Sequence, residues 1–313
     1  MRTSLRILAL FGLVVLLLRC WEEIDSPIPI PDPKLVLISN FFPNELVSVE
    51  LHASQSVLEG GRPQPVEDAE VEILVGNQIV EQLVFVPGTP SRLPYYTTQT
   101  FKPRVGIEYT IHAAKDGYVP ITAVSAIPDP VPITFFQQLS STSQLMEDGT
   151  RVYDLGIAID YEDPATRNTY YHFRLVQEVE VWREIGNTGQ YTLDFRYFKP
   201  VEFPRSGPID WEVVLANSGS GVLITDKPFE GPLSLAVSST IDENQHERLG
   251  RLFAELRVVS REYFNFQNDI IRQTNNNPGP FDDDAPSVDN NVDNGLGVFA
   301  GYNYARDTLN LDI

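Results

Sequence analysis

Apolar and polar side chains alternate along much of the chain, which is the pattern of strands with one buried face. Val47, Val49 and Leu51 share one side of the first clear example, and residues 66–77 repeat the alternation and end in a Gly-Asn turn. Turn residues separate such segments at near-regular spacing. The first part of the chain is therefore predicted to form strands at residues 34–39, 46–53, 66–77, 79–86, 95–101 and 106–113.

These strands predict an antiparallel β-sandwich over residues 34–128, closed by a Pro-Asp-Pro sequence. The segment Val66–Ile73, followed by Gly106-x-x-Tyr109 and Gly117-Tyr118, resembles the transthyretin-like or carboxypeptidase-regulatory type of immunoglobulin-like sandwich. The resemblance implies a scaffold rather than an enzyme.

The second part of the chain, residues 129–313, continues the same alternation. It predicts a second antiparallel β domain with strands at residues 152–161, 170–182, 191–198, 222–226, 233–241, 249–259 and 295–304. The last of these contains several glycines, which predict a bulge or a close approach of two backbones.

One short helix interrupts the strands of this second domain. Ser260 is suited to cap its first turn, and Tyr263, Phe266 and Ile270 recur at helical spacing through Gln273. We interpret its aromatic residues as anchors on a sheet in preference to a ligand-stacking site. The fold predicted for the whole chain is therefore mostly β with one short helix.

The amino terminus has the features of a bacterial lipoprotein signal. A basic start precedes an apolar run from Ile7 to Leu18, which is too short to span a bilayer, and Cys20 follows it. Residues 1–19 are thus a predicted signal peptide, and Cys20 is the predicted lipid attachment site. Arg19 departs from the pattern, which has a small residue there. The alternative is an ordinary signal peptide with an incidental cysteine, but no Ala-x-Ala-like site is nearby.

The segment from Cys20 to Pro33 is predicted to be a tether. Prolines at every second position favour polyproline II, so this tether would span roughly 40 Å. Glu22, Glu23 and Asp25 form an acidic cluster directly after the cysteine. Such a cluster resembles the signal that exports Bacteroidota lipoproteins to the outer face of the outer membrane. The alternative is a solvated acidic segment.

Composition and charge narrow the function classes. The chain has 313 residues, of which 42% are hydrophobic, and a formal net charge of −20. Phosphate would be repelled by that charge, so we predict no nucleic-acid partner. Removal of residues 1–19 would take three arginines and no acid and leave −23. A single cysteine excludes a disulfide framework and a zinc site built from cysteines.

Candidate chemistry is sparse, and we predict no catalysis. The four histidines are scattered, and neither a zincin motif nor a Gly-x-Ser-x-Gly motif is present. No cofactor is predicted except a Ca²⁺ ion, for which an acidic loop offers hard oxygen ligands. An ordinary solvated loop is the alternative. The loop's candidate ligands are Asp282, Asp283, Asp284, Asp289, Asn291 and Asp293.

Two further surface features are singled out. Thr308 lies in an Asp-Thr-Leu sequence that resembles the O-glycan acceptor of secreted Bacteroidota proteins. Several aromatic residues of the second domain are candidates for stacking on a glycan or peptide ligand, and the alternative for each is a place in the core. They are Trp182, Trp211, Tyr191, Tyr197 and Phe198.

The order of these features resembles a known family. A lipidated cysteine, a strand starting Lys34-Leu35-Val36, a Tyr170-Tyr171 strand, a Tyr263-Phe264 helix and the stretch Asn294–Tyr302 follow one another as in the Bacteroidota outer-membrane lipoproteins with the domain of unknown function DUF4249. The resemblance covers nearly the whole mature chain. It implies an accessory of a TonB-dependent transporter, and it defines no catalytic residues.

Two functional hypotheses follow. The first is a lipid-anchored accessory on the outside of the outer membrane that helps a TonB-dependent transporter to capture a nutrient. The second is a structural or assembly lipoprotein that binds a protein partner. An exposed aromatic cluster beside a cleft would favour the first, and a flat apolar patch would favour the second.

Overall fold

The computed structural model describes residues 32–55, 64–162, 169–186, 188–201, 203, 221–225, 232–275 and 288–313. Over these residues the chain is mostly β, and the predicted sandwich-like fold is confirmed. The strands are β1 (Leu35–Phe41), β2 (Ser48–Ala53), β3 (Gln64–Pro65), β4 (Glu70–Val75), β5 (Gln78–Gln82), β6 (Val84–Val86), β7 (Tyr95–Thr97), β8 (Glu108–Ala114), β9 (Ile121–Ala126), β10 (Ile133–Leu145), β11 (Thr150–Tyr161), β12 (Tyr170–Glu184), β13 (Tyr191–Pro200), β14 (Val222–Thr225), β15 (Leu233–Asp242), β16 (Glu247–Val259), β17 (Val292–Asp293) and β18 (Leu296–Leu309).

The first sandwich packs one layer of β1, β2, β6 and β7 on a second layer of β17, β9, β8, β4 and β5. Its core contains buried side chains from both layers, among them Leu37 and Ile111. The ring of Phe41 stacks on Phe299 with 4.4 Å between centroids, and Tyr109 meets Phe41 edge-on. Each such side chain stabilises the fold by about 1.5–3 kcal/mol through burial.

The second sandwich packs the sheet β10-β11-β15 on β12, β14 and β16. Strand β15 alternates strictly between buried and exposed side chains from Leu233 to Ile241. Its inward residues meet those of β11 and β12, such as Ile157 and Phe173. The regular alternation in the sequence therefore arises because one face of each strand packs on the other layer.

Strand β18 joins the two sandwiches. Its first half pairs with β1, in register from Val36 with Leu296 to Phe41 with Gly301, and this pairing is parallel. Its second half pairs antiparallel with β16. A ten-stranded sheet results, and the described residues from Pro33 onward belong to one compact unit. The division into two domains at residues 128 and 129 stays a prediction, and β18 is a strand that both parts share.

One α-helix, α1 (Arg261–Asn275), is present in the described part of the chain, beside a short 3-10 turn at Glu243–Gln245. Ser260 caps it as predicted, since its hydroxyl accepts a hydrogen bond from the Tyr263 backbone N–H at 3.4 Å. Tyr263 and Phe264 are buried against Val298 and Ala300 of β18, which confirms their interpretation as core anchors. No described helix has the length and apolar character to cross a membrane.

Strands β9 and β10 and the two-residue strands β3 and β17 were not predicted from the sequence. Strand β10 (Ile133–Leu145) is mostly exposed, so its polar sequence has no alternation to detect, and it exists because β11 pairs with it along its length. Strand β9 (Ile121–Ala126) does alternate, but with small residues that carry a weak signal. Strand β4 is shorter than the predicted segment 66–77 and begins at Glu70.

The Tyr96→Phe variant should lose about 1–2 kcal/mol of unfolding free energy. Tyr96 is 2% exposed, and its hydroxyl donates to the Val66 carbonyl and accepts from the Ala69 N–H, both at 2.9 Å. Phenylalanine leaves both backbone groups without this partner. Urea unfolding would measure the loss. The matched control is Tyr95→Phe, where the ring contacts Arg92 and the change should be near zero. Equal losses in the two variants would contradict the assignment.

Candidate functional site

An open depression of about 530 Å³ lies at the end of β18. Strand β18 pairs with β16 only as far as Leu252, so residues 247–251 of β16 have no β18 neighbour. We call this depression the polar notch. Its polar lining consists of Glu178, Glu180, Arg196, Gly250, Arg251 and Asn310.

An irregularity in the pairing of β12 with β16, where Glu178 faces both Gly250 and Arg251, places a carboxylate in the polar notch. The register between β12 and β16 shifts between Gln177 and Val179. There the Gln177 amide donates to the carbonyls of Gly250 and Arg251, at 3.3 and 3.1 Å, in place of regular backbone pairing. A Cβ on Gly250 would lie 2.7 Å from a carboxylate oxygen of Glu178. Glycine at this position therefore makes room for the Glu178 side chain.

Glu178 is a nearly buried carboxylate held by arginine. Only 2% of the residue is exposed, and Arg251 binds both of its oxygens, with Nε at 3.0 Å and Nη2 at 3.1 Å. The backbone N–H of Arg251 adds a third bond at 3.1 Å. The side-chain hydrogen bonds of Arg251 hold the pKa of Glu178 below its usual range, although burial opposes them. Glu178 is therefore a stable anion that orients Arg251.

A second ion pair lies beside the first. Arg196 of β13 contacts Glu180 through Nη2 at 2.8 Å and approaches Glu178 at 3.5 Å. The side chains of Arg196 and Arg251 are both about half exposed, at 46% and 49%. Two arginines and two glutamates thus balance one another, and both guanidinium groups keep a face toward solvent.

Exposed aromatic surface borders the polar notch. Phe198 pairs with Glu178 across β12 and β13, is 58% exposed and meets the ring of Phe253 edge-on at 5.7 Å. The guanidinium of Arg251 lies 5.1 Å from the centre of the Phe253 ring. The notch therefore combines charged hydrogen-bonding groups with an accessible aromatic face.

The other predicted stacking residues lie in different surroundings. The Trp182 indole donates to Glu180 at 3.2 Å and lies under Arg248, which places it at the border of the notch. Tyr191 meets the ring of His246 edge-on.

Tyr197 lies on the packing side of the sheet, where its hydroxyl donates to Glu247 at 2.8 Å. Burial, assisted by this bond, raises the pKa of Tyr197 to about 12. Trp211 lies outside the described residues.

Sequence reasoning missed the charged members of the notch. Arg251, Phe253, Glu255 and Arg257 occupy every second position of β16, and Glu178 and Glu180 do the same in β12. This alternation was a readable signal for a charged face on a long sheet. The alternation does not distinguish these residues from the exposed face of an ordinary strand, because the same pattern is typical of any solvated strand.

A second charged cluster lies on the same face of the sheet, nearer α1. The Glu255 side chain accepts from Arg257 at 2.7 Å, from Arg306 at 2.6 Å and from Arg174 at 3.4 Å. Burial would raise the pKa of Glu255, but the charge of Arg257 and the bonds from the arginines outweigh it and keep the pKa low. Arg257 also donates to the Tyr263 hydroxyl at 3.3 Å, which links the cluster to α1.

The acidic loop predicted to bind calcium is described only in part. Asp282, Asp283 and Asp284 lie outside the described residues. The amide of Asn291 bonds to the carbonyls of Val124 and Phe299 and to the Phe299 N–H, so it ties strands together. Asp289 accepts from Asn265 at 2.7 Å, and Asp293 is exposed.

Among the described residues, no three His, Cys, Asp or Glu side chains are grouped to hold a metal ion. Cys20, Glu22, Glu23 and Asp25 lie outside these residues as well. Thr308 is exposed on β18.

Comparison with solved structures finds distant likenesses. The three N-terminal domains of the bacteriophage RB49 outer capsid protein Hoc align with 11% identity over 73% of this chain, with a TM-score of 0.20. The Yersinia pseudotuberculosis adhesin InvE aligns with 17% identity over 72% of this chain, with a TM-score of 0.18. The chain spans 64% and 54% of those proteins, less than two thirds of either. Likenesses at these scores do not indicate the function of this chain.

No curated protein matches the chain. The family model of the domain of unknown function DUF4249 matches residues 22–308. This match covers both sandwiches, α1 and the residues of the polar notch on β12, β13 and β16. The chain therefore belongs to the DUF4249 family.

Proposed function

We propose that this protein is a lipid-anchored binding component of a TonB-dependent nutrient-uptake system, attached to the outer membrane and facing the cell exterior. Cys20 would carry the lipid, and Glu22, Glu23 and Asp25 would direct export. The proline-rich tether would hold the folded body away from the membrane. The large acidic excess supports this arrangement, because it keeps the body off an anionic surface.

The observation that carries the binding role is the polar notch. A volume of about 530 Å³ lies within the range of small-ligand sites. Both of its carboxylates are ion-paired, and the low pKa of Glu178 makes it a poor proton donor near neutral pH. Such a site is suited to hold a ligand.

The second candidate, an assembly lipoprotein that binds a protein partner, has one observation in its favour. Strand β13 is at the edge of the ten-stranded sheet among the described residues, and it exposes Phe195 and Phe198 by 53% and 58%. Edge strands with exposed aromatic residues are suited to pair with another protein. The notch, which is polar and concave, favours the first function.

A pull-down from outer membranes tests the proposed function. The full-length lipidated protein, tagged after residue 313, would be purified in mild detergent, and the co-purifying proteins would be identified by mass spectrometry. We expect a TonB-dependent barrel to be recovered with it. The amino-terminal peptide of the purified protein should carry a lipid on Cys20, and the Cys20→Ala variant should lack it.

Two outcomes would contradict the proposal. Repeated recovery of the lipidated protein alone would remove the transporter partner. Absence of a lipid on Cys20 in the wild-type protein would remove the lipid anchor.

A further inference from the structure

We infer that the polar notch binds an uncharged, polyhydroxylated ligand, an oligosaccharide segment, with Arg196, Arg251 and Glu180 as its hydrogen-bonding groups and Phe198 as its stacking face. This inference rests on the proposed function, since it names the class of nutrient that the binding component would take.

The charge balance of the notch points to an uncharged ligand. Arg196 and Arg251 are matched by Glu178 and Glu180, which lie within ion-pair distance of them. An anion would gain from the arginines and lose to the glutamates, and a cation would do the reverse. The net charge of −20 on the chain adds a further penalty for an anion.

The hydrogen-bonding groups suit hydroxyls. A sugar hydroxyl both donates and accepts, so it binds best between a donor and an acceptor. Arg251 uses Nε and Nη2 for Glu178, and its Nη1 has no partner within the described part of the chain. Glu180 and the exposed Asn310, which also line the notch, supply acceptors. Because Glu178 fixes Arg251 in advance, little side-chain freedom is lost on binding.

The aromatic border suits the apolar face of a sugar ring. Phe198 lies two residues after Arg196 in β13, so both side chains are on the same side of the sheet. Its 58% exposure leaves a ring face accessible beside the charged lining. An apolar ligand would use Phe198 but not the hydrogen-bonding groups of the notch. A hydroxylated ring uses both.

Another depression of similar size in the described part of the chain offers less accessible aromatic surface. It is lined by Asp68, Lys115 and Tyr118, among others, at the first sandwich. Lys115 is bound directly to Asp68, and Tyr118 is half-buried against the core of the first sandwich, so its ring is less accessible than that of Phe198. The polar notch is therefore the site to which the inference is assigned.

The test is direct binding by the purified full-length protein in detergent, without any barrel. A microarray of neutral and sialylated oligosaccharides would be probed first, and the neutral oligosaccharide with the strongest signal would be titrated by calorimetry. We expect neutral oligosaccharides to be retained. Arg196→Met and Phe198→Ala should each weaken binding by about tenfold or more.

Matched controls separate binding from folding. Arg183→Met alters an exposed arginine of β12 that pairs with Asp194 and does not line the notch, so its affinity should equal that of the wild type. Phe198 is exposed, so Phe198→Ala keeps the test valid even where loss of Arg196 impairs folding. Thermal melting of each variant would verify that it is folded.

Two results would overturn the inference. The first is that no neutral oligosaccharide is retained, whether or not sialylated ones are, and the second is that binding is equally strong in the wild type and in Phe198→Ala. Each leaves the barrel pull-down unaffected, so failure of the glycan site is distinguishable from failure of the proposed function. If no barrel is recovered but the protein binds glycans, the role in an uptake system is contradicted and the glycan site is supported.

Discussion

The Gly297→Ala variant should lose on the order of 4 kcal/mol of unfolding free energy, enough to unfold much of the protein at 37 °C. Gly297 has a φ of +111°, which side-chain-bearing residues rarely adopt. It pairs with Leu37 at the parallel junction of β1 and β18, and a Cβ there would lie 2.0 Å from the Leu37 carbonyl oxygen. The backbone of β1 cannot retreat, because Leu35 and Leu37 are fully buried.

Gly117→Ala is the matched control for this prediction. Gly117 also has a positive φ, +86°, but a Cβ there would meet nothing within 4 Å. Its cost is thus the backbone conformation alone, about 1–2 kcal/mol. Urea unfolding of both variants, followed by circular dichroism, would give the two losses. Equal losses would show that the close approach of β1 and β18 is not what requires glycine.

The glycines of β18 show which features of the fold could be predicted from the sequence. Glycines in the last strand predicted a bulge or a close approach, and Gly297 and Gly301 both lie against a neighbouring backbone, at Leu37 and Ala126. The glycines predicted that a backbone comes close to this strand, because glycine within a strand is typical of a bulge or a close approach. They did not predict which strand comes close, since the pairing of the first strand with the last depends on the whole topology rather than on local sequence.

The candidate site was only partly predictable for a related reason. Trp182 could be identified by type, because aromatic residues are rare and large. Glu178 could not, because its importance comes from burial beside Arg251 and from the missing side chain of Gly250. Those features arise from a shift in register between β12 and β16, and no local pattern in either strand records that shift.

The Glu255→Gln variant should destabilise the fold by about 3 kcal/mol at neutral pH. Glu255 is 8% exposed and neutralises three arginines, of which Arg257 is itself largely buried. Glutamine keeps the shape but leaves Arg257 as a buried charge with no anion beside it. Arg306 is mostly exposed and can turn to water, which limits the loss. The matched control, Arg306→Met, should therefore cost less than about 1 kcal/mol.

The pH dependence separates this charge effect from a simple packing defect. The folded-state pKa of Glu255 lies below its ordinary value of 4.5, so its contribution is fully present above that value and is lost as pH falls through the folded-state pKa. The gap in unfolding free energy between the wild type and Glu255→Gln should thus be constant above about pH 6 and shrink below about pH 4. Urea unfolding at pH 7, 5 and 3.5 would measure it. A gap that stays constant at acidic pH would mean that Glu255 acts through its shape, and the arginines around it would then not depend on its charge.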